Sequence, residues 1–86
     1  MKYFVYILES NLKRHYIGYT SHLDQRIKQH NSKHKGFTGT SEKWEIIIYL
    51  ELEKKDDAIK LESKLKSFKN YRKAIEYIEK LKGTVG

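Results

Sequence analysis

Tyr6, Tyr16, Arg26, His30 and Glu62 are polar side chains of this sequence whose types could do chemistry, and those of Arg26 and His30 suit a phosphate group. The planar fork of Arg26 can grip a phosphate bidentately, and the imidazole of His30, one helical turn on, can donate a further hydrogen bond. Each also has an ordinary structural reading. On a helix over Ser21 to His34, Leu23 and Ile27 form an apolar stripe shared by His30, with Arg26 about 60° to one side. Taken singly, His30 reads as a satisfied core histidine and Arg26 as an edge residue whose stem covers apolar surface. Together with tyrosines on the strands just before, the same placement favours a site. Glu62 borders the apolar face of a later helix, i+4 from Ala58 and i−3 from Leu65. From there it either enters a cleft or pairs with Lys66 one turn away.

The elements that must position these groups follow from local pattern. Tyr3–Leu8 and His15–Tyr19 are aromatic and β-branched, and the polar stretch Glu9–Arg14 between them makes a hairpin with a long loop or bulge, which brings Tyr6 near Tyr16. Gly18 offers backbone freedom where strand passes to helix, and Thr20 and Ser21 are N-cap candidates. Residues 33–41, rich in Gly and Thr, read as a loop. Trp44–Leu52 is a third strand, and its unbroken Ile46–Leu50 run predicts a central place or cover on both faces. Asp56 and Asp57 predict the cap and acidic first turn of a helix with Ala58, Leu61, Leu65 and Phe68 on one face. Asn70 caps a last helix with Tyr71, Ala74, Ile75, Ile78 and Leu81 inward, which Gly83 stops.

These residues carry a resemblance. Phe4-Val5-Tyr6, Tyr16-Ile17-Gly18, then Thr20, Leu23, Arg26, His30 and Asn31, and later Glu62, resemble the GIY-YIG nuclease family over essentially the whole chain, most closely its small stand-alone, single-domain members. Phe4-Val5 stands where the family name has Gly-Ile. The resemblance implies an α+β fold, a three-stranded, largely antiparallel sheet flanked by three helices, in one domain over residues 1–83 with 84–86 frayed. It also implies a metal-dependent endonuclease. In that reading Tyr6 is the general base for an attacking water, Tyr16 orients or shares that role, Arg26 and His30 hold the scissile phosphate, and Glu62 binds one Mg²⁺ or Mn²⁺. DNA is favoured over RNA, and DNA repair is one setting the family suggests. Lys13, Arg14, Lys33, Lys35, Thr38, Lys66, Lys69 and Asn70 are the expected contacts to nucleic acid. A phenol with an ordinary pKa near 10 is a poor base at neutral pH, so cationic neighbours, with Arg26, the metal and Lys13-Arg14 as candidates, must favour its phenolate.

Composition bounds these readings. Eighty-six residues bury only about 60 to 65% of their unfolded surface and leave no room for a second core. The absence of cysteine rules out a disulfide framework and a Cys-ligated zinc, and makes a cytoplasmic protein the expectation. His30 and His34 have no third ligand at zinc-site spacing. Eighteen Lys and Arg against eleven Asp and Glu give a net charge of +7. That surplus fits nucleic-acid steering and a merely lysine-rich surface equally well. No apolar run spans a bilayer, and no helix joins an aromatic face to a concentrated basic one. No small-molecule cofactor is implied, and a monomer or weak dimer is expected. A non-catalytic nucleic-acid binding module is the rival reading. A protein-interaction domain is a third, for which Tyr19, Phe37, Tyr71 and Tyr77 have no evident grouping.

Overall fold

In the computed structural model, which describes residues 2–32 and 43–83 and the side chains of all of these but 30–32, the elements follow in the order β1 (Tyr3–Ser10), β2 (His15–Thr20), α1 (Leu23–Ser32), β3 (Trp44–Leu52), α2 (Lys55–Ser67) and α3 (Tyr71–Gly83). The three strands form one antiparallel sheet in the order β2-β1-β3. The expected loop over 33–41 lies outside the described residues, as do the far end of the predicted first helix and residues 84–86.

Ser10 makes the hairpin. Its carbonyl accepts from the Lys13 N–H and its own N–H donates to the Arg14 carbonyl, both at 2.9 Å. Its hydroxyl takes the N–H groups of Leu12 and Arg14 at 3.1 Å. The loop is therefore three residues long and closes with Lys13 in the left-handed region, φ 64°. The resulting register sets Tyr6 opposite Gly18 and Leu8 opposite Tyr16.

The central strand is β1, and the expectation for β3 is corrected. Val5, Tyr6, Ile7 and Leu8 are all at most 1% exposed. Val5 and Ile7 face a core made with Ala58, Leu61, Leu65, Ala74 and Ile78 of α2 and α3. Tyr6 and Leu8, alternating with them, face the other way. β3 is an edge strand whose exposure alternates along its length. The run Ile46–Leu50 reads as doubly covered because the pairing shifts between Ile7 and Leu8, which face Ile48 and Ile46 respectively. Ile47 is left over, more than a third exposed. This bulge sends Ile46 and Ile48 to opposite faces, although their spacing alone would put them on the same one.

Helix starts differ from expectation in detail. The residue ahead of α2 is Lys54, extended and without a side-chain cap bond, so Asp56 and Asp57 sit inside the first turn, where the helix dipole favours their negative charge. Ahead of α1, Thr20 Oγ1 accepts from the His22 N–H at 3.0 Å, and the first helical bond runs from Arg26 N–H to the His22 carbonyl. Asn70 does cap α3, accepting the Arg72 N–H at 2.9 Å.

Candidate active site

Helices α2 and α3 cover one face of the sheet, α1 packs against β3, and β2 is the edge strand on the other side of β1. Along this edge a cleft of about 480 Å³ is lined by Tyr3, Tyr6, Tyr16, Tyr19, Thr20, Ser21, Arg26, Lys55 and Glu62. Tyr6, Tyr16, Arg26 and Glu62 come from β1, β2, α1 and α2, so four elements meet at one place.

Gly18 holds the two tyrosines together. The Tyr6 and Tyr16 rings stack with centroids 6.2 Å apart and planes 26° from parallel. A Cβ on Gly18 would stand 2.8 Å from the Tyr6 hydroxyl oxygen and 2.9 Å from a carbon of the Tyr16 ring. Gly18 is expected to supply backbone freedom, but its φ lies outside the left-handed region. It is needed because its missing side chain is the space the tyrosines occupy.

Burial of the Tyr6 ring pushes its phenol up to about 12, with Tyr16 and Glu62 adding to the rise and Arg26 acting against it. The expectation that Lys13-Arg14 would favour the phenolate is corrected. Four residues of strand, about 13 Å at 3.3 Å per residue, separate Tyr6 from Ser10 at the turn. Lys13 lines a different cleft there, beside Asn11 and Trp44.

Glu62 satisfies both of its sequence readings. Its carboxylate lies 3.6 Å from the Lys66 ammonium, and its side chain, 20% exposed, also lines the tyrosine cleft. No group of three or more His, Cys, Asp or Glu able to hold a metal occurs among the described residues. One carboxylate suits a hard cation that keeps most of its water and takes phosphate oxygens; it does not suit zinc.

The remaining expected contacts separate. Lys66, Lys69 and Asn70 line a second cleft beside His15 and Tyr71. Arg14 is exposed at the hairpin. Lys33, Lys35, Thr38 and the side chain of His30 lie outside the described residues, although the His30 backbone belongs to α1. The aromatic residues are also dispersed: Tyr77 packs on Phe68, and Tyr71 stacks on His15. Sequence reasoning missed Lys55 in the tyrosine cleft, although it stands two helical turns before Glu62 and so shares its face. No described helix is long and apolar enough to cross a membrane.

Comparisons with known proteins agree with this geometry. A family model described as the GIY-YIG catalytic domain matches residues 2–76. The UPF0213 protein YsiG of Lactococcus lactis subsp. lactis (strain IL1403) is 34% identical over 92 residues, covering 91% of this chain and 88% of that protein. The solution NMR structure of the UPF0213 protein BH0048 from Bacillus halodurans is similar with a TM-score of 0.54 and 31% identity, over 96% of this chain and 87% of that one. Matched along nearly its whole length, the chain belongs to the GIY-YIG family, whose domain is of nuclease type and whose small members include the UPF0213 proteins.

Proposed function

We propose that the protein is an endonuclease that hydrolyses phosphodiester bonds of nucleic acid, DNA in the first instance, with Mg²⁺ or Mn²⁺ held at Glu62. The observation that carries this reading is the meeting of Tyr6, Tyr16, Arg26 and Glu62 in one cleft. The main core, built on Val5, Ile7, Leu61, Leu65 and Ile78, uses none of the four.

Arg26, exposed on α1, binds the non-bridging oxygens of the scissile phosphate. Lys55, which also lines the cleft, adds positive charge. His30 is assigned a place beside Arg26 by the family resemblance alone. Tyr6 takes the proton of the attacking water at its phenolic oxygen, and Tyr16, stacked on it, fixes the plane of that ring. When bound, the cation supplies positive charge against the charge developing on the phosphoryl oxygens. With a phenol near 12, only about one Tyr6 in 10⁵ is ionised at pH 7. Arg26 is the described residue that favours the ionised form.

That raised phenol is also the one observation favouring the rival reading, a binding module without turnover. Incubation with labelled single-stranded, duplex, flap and junction substrates separates the two readings. Cleavage with Mg²⁺ or Mn²⁺ that chelator abolishes supports the nuclease, and retention of substrate without cleavage supports the module.

A further inference from the structure

Where β2 begins, a second cleft of about 420 Å³ opens between that strand, the end of α2 and the start of α3. It neighbours the first, with which it shares Tyr16 as a lining residue. Its apolar lining comes from Ile17 and the buried Leu65. On one side the His15 and Tyr71 rings lie face to face, 3.6 Å between centroids and 11° from parallel. His15 Nε2 is held by the Glu9 carboxylate at 3.0 Å, so this aromatic wall is fixed before any ligand arrives.

Lys66 and Lys69 supply the charge. Lys69 follows the C-cap residue Phe68 of α2 and has φ 54°. Glycine is favoured at this position, because a side chain is strained in the left-handed region. The chain instead carries a cation there, facing the cleft.

We propose that this second cleft receives an unpaired nucleobase next to the scissile phosphate, so that the substrate is single-stranded or carries an unpaired nucleotide at the cut. The inference rests on the nuclease reading for the passage of the strand through the first cleft. The one aromatic wall, in which His15 and Tyr71 cover a face of each other and the Arg72 guanidinium lies 5.9 Å from the Tyr71 ring centroid, and the apolar lining match the π-face of a base, and lysines beside them match the flanking phosphates. A base inside a duplex is stacked and paired and enters only after extrusion, whereas a base in a single strand is already available.

The test is binding measured by fluorescence anisotropy in chelator, where no metal-dependent cut intervenes. The probes are a single-stranded oligothymidylate, the same strand with abasic residues, its duplex with oligoadenylate, and an oligouridylate to separate RNA from DNA. The wild type should hold the oligothymidylate about tenfold or more tighter than the abasic strand. Tyr71→Leu should close that gap. Lys69→Gly should weaken both strands alike and lower the salt slope by about one, while its melting temperature holds or rises. A 2-aminopurine moved along the strand should be quenched at one position in the wild type, which needs no variant to fold. Equal wild-type affinity for normal and abasic strands, no position of quenching, or no binding at all overturns the proposal. Cleavage of duplex without dependence on unpaired bases would leave the nuclease standing and this inference refuted. Base-dependent binding without cleavage in metal would do the reverse.

Discussion

Gly18 lies directly across the β1–β2 ladder from Tyr6, and a Cβ at Gly18 would come within 2.8 Å of the Tyr6 hydroxyl oxygen. The hydroxyl ends a side chain only 1% exposed, so it has little room to withdraw. Gly18→Ala should therefore cost about 1 to 3 kcal/mol of stability through overpacking. A displacement of Tyr6 by about 1 Å should also lower cleavage on the order of 10²-fold. Thermal unfolding and single-turnover cleavage of this variant check both; a variant as active as the wild type would remove Gly18 from the account.

Tyr6 and Tyr16 have different surroundings, one buried and the other 42% exposed, and their phenylalanine variants should differ accordingly. Tyr6→Phe should lose roughly 10²- to 10⁴-fold in cleavage and stay folded, and Tyr16→Phe should lose less. With the Tyr6 phenol near 12, the wild-type rate should climb with pH from neutrality to about pH 10 without a plateau. The climb should vanish in Tyr6→Phe and persist in Tyr16→Phe. The opposite order of defects would move the proton acceptor to Tyr16.

The same phenol has a consequence for stability. Folding raises the Tyr6 pKa from about 10 to about 12, so between those values the unfolded chain has lost a proton that the folded one retains. Stability linked to Tyr6 is complete below pH 10 and falls as pH rises towards 12, by about 2 to 3 kcal/mol at most. Denaturant unfolding of the wild type and Tyr6→Phe between pH 8 and pH 12 should show a shallower alkaline decline in the variant. Parallel curves would contradict the burial argument.

Much of the hairpin and of the tyrosine pairing was legible in the sequence, because two aromatic strands around a polar turn admit few registers. The position of Glu62 was legible as two alternatives, and the fold realises both. β3 was misread because an extra residue in a strand is invisible to alternation, and the shift at Ile47 sends same-parity residues to opposite faces. The function of Gly18 was hidden for a related reason: its neighbour Tyr6 is twelve residues away and becomes adjacent only once the register is known. Lysines were the least legible group. Exposure leaves their positions free of any apolar period, so only the two-turn spacing from Glu62 separates Lys55 in the tyrosine cleft from Lys13 at the hairpin tip.

Lys55 gives that distinction a test. If about four phosphates are neutralised on binding, log K should fall with log salt at a slope of roughly −3 to −4. Lys55→Gln should reduce the slope by about one and weaken binding evenly across sequences. Affinity that is indifferent to salt between 50 and 200 mM would refute the electrostatic account.

Glu62 carries the central claim, since it is the carboxylate that lines the tyrosine cleft and the proposed holder of the cation. Glu62→Gln preserves size, and loss of its half-exposed pair with Lys66 should cost about 1 kcal/mol. The decisive measurement is the single-turnover cleavage rate of wild type and Glu62→Gln side by side, in Mg²⁺ and Mn²⁺, on whichever substrate the wild type cuts best, with binding measured in parallel. A variant that binds as well as the wild type or better, yet cuts slower by about 10² or more, is the predicted result. Equal cleavage rates in the two proteins would mean that Glu62 is only a surface partner of Lys66 and that the cleft is not the metal-assisted active site.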